Sequence, residues 1–306
     1  MTRFPGYPFT SHWYAHPSRG GLRQHYVDEG AGPPVLFVHG NPSWSYLWRR
    51  PVAALRDRFR CVAPDHLGMG LSDKPSAEEH EHTLASRVDD LDALVGHLIA
   101  RRGAPGRGWT LVMHDWGGPI GMAWACRHPG RVARLVILNT AAFPNPHGER
   151  VRLPLRAPLW VLRRTRLGAR LFLRHNLFAR AATWRPLGVR RRMPAHVRAA
   201  FLAPYDRPAH RVAVQRFVHD IPLQPGDPAW PLLEGTARRL DLFAGLPAFV
   251  GWGLRDPVFD PAVLAEWRRR LPAARVRVYP RAGHYVLEDA HEDLVPEIRA
   301  FLTGSA

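Results

Sequence analysis

Short apolar runs recur along the chain and alternate with stretches whose apolar positions return at helical spacing. The runs are Val35-Leu-Phe-Val38, Arg60-Cys-Val-Ala63, Trp109-Thr-Leu-Val-Met113, Leu135-Val-Ile-Leu138, Pro247-Ala-Phe-Val-Gly251 and Val276-Arg-Val-Tyr279. Each is a strand candidate. Between two of them, Thr83 to Arg101 repeats Leu84, Val88, Leu91, Leu94, Val95 and Leu98 beside Asp89, Asp90 and Asp92. That is an amphipathic helix with a core-facing stripe. The alternation predicts an α/β fold, a mostly parallel sheet covered on both faces by helices. From about His147 to about Pro228 the strand pattern stops, and helical segments broken by Pro154, Pro158, Pro186, Pro194, Pro204 and Pro208 take over. A helical cap inserted into the α/β unit accounts for this. The expected organisation is core over 1–146, cap over 147–228 and the rest of the core over 229–306.

The length of 306 residues suits one folding unit of this kind. With 46% hydrophobic and 23% charged residues the composition is globular, and no apolar run approaches the length of a membrane span. The N-terminal Met1 to Phe9 lacks the continuous apolar stretch of a secretory signal, so the cytoplasm is the expected location. Cys61 and Cys126 fall in a predicted strand and a predicted helix, and are expected as free buried thiols. The net charge is +17, yet every basic residue except Lys74 is an arginine. Coding bias accounts for this as well as a phosphate-binding surface does. No nucleic-acid-binding motif accompanies the charge, so nucleic acid is not an expected partner. The first half of the cap mixes arginines with Leu159-Trp-Val-Leu162 and Leu171-Phe-Leu173. It reads either as a solvated face over an apolar substrate pocket or as a surface for a membrane or an acidic partner enzyme.

The candidate chemistry centres on Trp109-Thr-Leu-Val-Met-His-Asp-Trp-Gly-Gly118, where an apolar strand turns through a Gly pair into the helical pattern from Pro119 to His128. Many hydrolases present a Gly-x-Ser-x-Gly elbow in this context. Here Asp115 holds the central place, with a helix N-terminus beside it to favour its anion. Taken alone, Asp115 reads as a helix N-cap. Three further segments point to catalysis. His39-Gly-Asn-Pro42 follows a strand where a backbone N–H for an oxyanion hole is expected, and the N–H groups of Asn41 and Trp116 would form the pair. Gly253-Leu-Arg-Asp256 and Gly283-His-Tyr-Val286 follow later strands, bringing Asp256 and His284 to the edge where open α/β sheets place their sites. The order nucleophile, acid, histidine is the one expected for an α/β-hydrolase fold. A carboxylate that displaces a leaving group from an sp³ carbon forms an ester open to attack by water, whereas serine would form an inert ether. His284 would then be the base for that water and Asp256 would orient it. Asn41 and Trp116 also offer side-chain N–H donors for a departing halide. No metal or cofactor is expected.

At these residues the chain resembles the haloalkane dehalogenases. His39 to Trp44, Asp65-His-Leu-Gly-Met-Gly-Leu-Ser72, His114 to Gly118 and Gly283-His284 match that family's motifs, the Asp65 segment as a structural one. The resemblance implies Asn41 and Trp116 as the halide-stabilising pair, Asp115 as nucleophile and His284 as base, acting on an apolar small molecule. One subgroup carries its acid as Glu near Leu138-Asn-Thr140; Asn139 cannot serve, which leaves Asp256. The combination is similar to the third subgroup. Within it, Leu84 to Asp92, Asn139 to Phe143, Ala203-Pro-Tyr-Asp206, Asp220-Ile-Pro-Leu223 and Gly283 to Glu288 resemble the β-lactone decarboxylases of bacterial long-chain olefin synthesis. The expectation is dehalogenation to alcohol and halide, with decarboxylation of a cis-β-lactone to a cis-olefin as the alternative. Two weaker readings are an epoxide hydrolase, for which the cap offers only Tyr205 as ring-protonating tyrosine, and a non-catalytic ligand receptor on the same fold.

Overall fold

The computed structural model describes residues 4–146, 163, 165–185 and 188–304. Eight strands form one sheet in the order β1-β2-β4-β3-β5-β6-β7-β8. They are β1 (Ser11–Ala15), β2 (Arg23–Glu29), β3 (Pro34–Val38), β4 (Arg60–Pro64), β5 (Trp109–His114), β6 (Val132–Leu138), β7 (Ala248–Gly253) and β8 (Arg275–Tyr279). The six apolar runs are β3 to β8, and all pairings among them are parallel. Central strands of a parallel sheet are covered on both faces, which is why their sequences run continuously apolar. Alternate residues divide between two cores. Leu36, Leu111, Ile137 and Val250 face one, while Val35, Phe37, Val112, Val136 and Phe249 face the other.

β1 and β2 were not among the expected strands. Their sequences, Ser-His-Trp-Tyr-Ala and Arg-Gln-His-Tyr-Val-Asp-Glu, carry few aliphatic residues and present no such run. They pair antiparallel with each other, and β2 also pairs antiparallel with β4, so strand pairing rather than a local apolar pattern defines them.

The amphipathic helix spans Leu84–Arg101 and begins at a capping box, with the Thr83 and Ser86 side chains each accepting from the other's backbone N–H. Its six expected apolar positions are all buried. Asp90, read as polar-face, is buried too, where it accepts from His80 and Arg19. Both cysteines are buried and free.

Between β6 and β7 no strand occurs among the described residues. Helices Arg166–Leu173, Leu177–Ala182, Ala195–Leu202, Val212–His219 and Trp230–Arg238 fill the connection. The boundary at His147, the breaks at Pro154, Pro158 and Pro186, and the Leu159 to Leu162 stretch lie outside the described residues. No described helix is long and apolar enough to cross a membrane.

Candidate active site

The loops after β3, β5, β6, β7 and β8 converge at one edge of the sheet. Asp115 sits directly after β5 with φ at +53°, a left-handed conformation that costs a non-glycine residue about 1–2 kcal/mol. The surroundings enforce it. The Asp115 carbonyl accepts from the Gly118 N–H at 3.0 Å and from the Thr140 hydroxyl, while its own N–H donates to Asn139 O at 3.2 Å. The turn also needs the two glycines that follow Trp116. A Cβ at Gly117 would lie 1.9 Å from the Val38 carbonyl oxygen, and one at Gly118 would lie 2.0 Å from Thr140 Oγ1.

The carboxylate does not cap the helix Gly117–Arg127. Trp116 holds the N-cap place and makes no side-chain capping bond. Instead Asp115 Oδ1 accepts from the Asn41 N–H at 2.6 Å, and Oδ2 lies 3.4 Å from His284 Nε2. Gly40 permits this approach, because a Cβ there would stand 2.1 Å from Asp115 Oδ1 and 2.5 Å from the Trp116 nitrogen. Burial opposes the anion, but the hydrogen bond and positive charge of His284, with a further bond from the Trp116 N–H, hold the Asp115 carboxyl below the usual carboxylate range.

His284 is clamped from its other side. Its Nδ1 donates to Asp256 Oδ2 at 2.9 Å, which turns Nε2 toward Asp115. Burial would depress the imidazole, yet the Asp256 charge and the Asp115 hydrogen bond raise it to about 10. The two flanking carboxylates thus favour the imidazolium form of His284 in the resting site. His114 donates to the His284 carbonyl at 2.8 Å, and burial together with the neighbouring His284 lowers its own ring to about 4, so it stays neutral.

The structure thus brings together Asp115, His284, Asp256, Asn41 and Trp116. It also adds residues not singled out from sequence. Asn139, named from sequence as a residue that cannot be the acid and as the start of a decarboxylase-like segment but given no role of its own, donates to Asp256 Oδ2 at 2.9 Å and bridges to Gly253 through both ends of its amide. Val258 N–H fills Asp256 Oδ1 at 2.7 Å. The signal for Asn139 was its position just past a strand end. Thr140 acts through its hydroxyl on the Asp115 carbonyl and Gly40 through close backbone approach, roles the sequence reading assigned to neither.

Asn41 Nδ2 donates one hydrogen to the Val214 carbonyl at 3.1 Å, leaving the second for another acceptor. The Trp116 ring packs on Phe217, centroids 5.3 Å apart. Tyr205 is fully buried, donating to Ser43 O at 3.2 Å and accepting from Gly70 N–H at 3.4 Å; burial pushes its hydroxyl well up. Such a hydroxyl is occupied in the core and is not a ring-protonating acid. Asp65 is structural. It accepts from Ser45 N–H, Leu71 N–H and His25, and a Cβ at Gly70 would collide with it at 2.2 Å.

The description "alpha/beta hydrolase fold" matches residues 33–291. The chain belongs to that family. Its sequence is 51% identical over 306 residues, 98% of both chains, to a cis-3-alkyl-4-alkyloxetan-2-one decarboxylase of Xanthomonas campestris. A protein of the same name from Shewanella oneidensis is 44% identical, over 97% of this chain and 89% of its own. Haloalkane dehalogenase 2 of Mycobacterium bovis is 35% identical, over 95% and 94%. Among solved structures, the haloalkane dehalogenase DbeA from Bradyrhizobium elkani superposes with a TM-score of 0.83 at 24% identity, covering 97% of this chain and 98% of that one. That last likeness speaks to the fold. The two groups of relatives fall in the two enzyme classes read from the motifs, and the greater identity lies with the decarboxylases rather than with the dehalogenases placed first.

Proposed function

We propose that this α/β hydrolase opens cis-3-alkyl-4-alkyloxetan-2-ones and releases a cis-olefin and carbon dioxide. The observation that carries the reading is the 51% identity, spanning 98% of both chains, to a decarboxylase of that name. The site geometry supplies a mechanism. Asp115, free of capping duty and held anionic, attacks ring carbon C4 from the face opposite the ring oxygen. The C4–O bond breaks, an Asp115–C4 ester bond forms, and the ring oxygen leaves as a carboxylate still attached through C3. The second hydrogen of the Asn41 amide and the Trp116 indole N–H are the donors assigned to that carboxylate.

The C3–carboxylate bond then breaks. Its electron pair becomes the C3=C4 bond, CO2 departs, and the C4–O bond to Asp115 breaks to restore the free anion. The N–H groups of Asn41 and Trp116 and the His284 imidazolium receive the returning charge. No water enters and no proton is gained or lost. Attack with inversion sets the Asp115 oxygen anti to the carboxylate, so anti fragmentation keeps the two alkyl groups on the same side. A cis-lactone yields a cis-olefin.

A second reading, dehalogenation, is favoured by the 35% identity to a haloalkane dehalogenase and by the same nucleophile and donors. In that reaction the ester must be cleaved by water, and His284 must become a base. Esterification of Asp115 removes one of the two charges that hold the proton on His284, which makes deprotonation accessible. The test compares one purified enzyme on a long-chain cis-β-lactone and on a 1-bromoalkane. Olefin formation with a much larger kcat/KM than bromide release is expected; bromide release without olefin would reverse the assignment.

A further inference from the structure

The segments Leu84 to Asp92 and Asp220 to Leu223 are absorbed neither by the nucleophile nor by its base. The structure joins them. Asp220, at the C-terminal end of the cap helix Val212–His219, accepts from the Leu84 N–H at the start of the core helix. Arg87, one turn on, is 1% exposed and places NH1 3.8 Å from Asp220 Oδ2. Its guanidinium carbon lies 3.5 Å from the centre of the Phe217 ring. None of its three side-chain nitrogens has a hydrogen-bond partner among the described residues.

This is a poor way to gain stability. A buried ion pair recovers its desolvation cost only with close, well-satisfied geometry. Burial lowers Arg87 to about 9 despite the nearby carboxylate, and burial raises the Asp220 carboxyl despite the nearby cation. What the pair does is fix one helix in one place, and that helix touches both side-chain donors of the site. Val214 O takes one hydrogen of the Asn41 amide, which sets the direction of the other. Phe217, between Arg87 and Trp116, supports the indole.

We propose that Arg87 is a positioning residue: stacked on Phe217 and paired with Asp220, it locks the helix Val212–His219 so that the Asn41 and Trp116 donors converge on the leaving anion. The inference rests on the leaving-group role given to those donors above. The planar guanidinium matters because it stacks on Phe217 with its face while keeping its charge toward Asp220, and a lysine cannot do both.

Bromide is the probe, titrated into the full chain and read by quenching of tryptophan fluorescence, with Trp116→Phe marking the part of the signal that belongs to the site. In Arg87→Met and Phe217→Leu the bromide Kd should rise about fivefold or more, as expected for one hydrogen bond lost or misaligned. With the lactone, kcat should fall while KM changes little. The double variant Arg87→Met/Asp220→Asn removes both buried charges and should recover melting temperature without recovering bromide affinity. Unchanged bromide affinity in both single variants overturns the proposal. So does affinity that returns with melting temperature in the double variant, since that marks a purely structural role. Absence of any Trp116-dependent quenching in the wild type also overturns it, and olefin yield from the wild-type enzyme judges the functional reading separately.

Discussion

His284→Asn separates the two chemistries open to Asp115. Asparagine keeps polar atoms near Asp256 but cannot take a proton at neutral pH. In the dehalogenase cycle, water must lose a proton as it attacks the ester, and removing a general base costs about 10²–10⁴-fold. In the lactone cycle no proton moves. There the loss is confined to one charge-assisted hydrogen bond on the departing Asp115 carboxylate, 3.4 Å from His284 Nε2 in the resting site. Such a bond contributes about 1.5–3 kcal/mol, or roughly 10- to 150-fold in rate. The variant should therefore stall on a 1-bromoalkane after one equivalent of bromide, with the alkyl mass retained on the peptide containing Asp115. On the cis-β-lactone it should keep measurable turnover, and any Asp115 ester that forms should still resolve to olefin rather than persist. Gas chromatography of olefin, halide release and peptide mass spectrometry read the three quantities. Sustained bromide turnover, or an equal loss on both substrates, would refute the division of labour between nucleophile and base.

Gly40→Ala should fold and be inactive. Its Cβ would enter the space 2.1 Å from Asp115 Oδ1 and 2.5 Å from the Trp116 nitrogen, displacing nucleophile and oxyanion donor together. A loss of at least about 10²-fold with near-wild-type circular dichroism is expected, and retained activity would show that the approach is not required. Asp65→Asn should be a stability mutant. Burial raises the Asp65 carboxyl, but the charges and hydrogen bonds of His25 and its other partners outweigh this and hold it at about 2 from an ordinary 3.8. That difference corresponds to about 2 kcal/mol of stability, present above the unfolded value and lost as pH falls through the folded one. The gap in unfolding free energy between wild type and Asp65→Asn should close between about pH 4 and pH 2; a gap independent of pH in that window would count against the assignment.

Much of the site was legible because its determinants are local. A strand running into His-Asp-Trp-Gly-Gly has few conformations open to it, since a Cβ at Gly117 or Gly118 would strike β3 or Thr140. Asp256 and His284 were readable from the strand ends before them, because a parallel sheet delivers those ends to one edge. Asp115 was open to a capping role in the sequence, and only the folded chain turns its carboxylate away from the helix toward Asn41 and His284.

The sequence by itself determined the sheet interior, the aspartate in the nucleophile's place and the order of its partners, since apolar period and glycine geometry act over a few residues. Tertiary structure decided what distant segments make together. The polar strands β1 and β2 exist by pairing with each other and, through β2, with β4. Asn139 gains its role only where β6 and β7 lie side by side. Leu84 and Asp220, 136 positions apart, meet only when the helix Val212–His219 packs beside the start of the helix Leu84–Arg101. The bond that Asp115 breaks depends on contacts of this second kind, because discrimination between a halide and a lactone lies in how donors and pocket surround the substrate, not in the nucleophile itself.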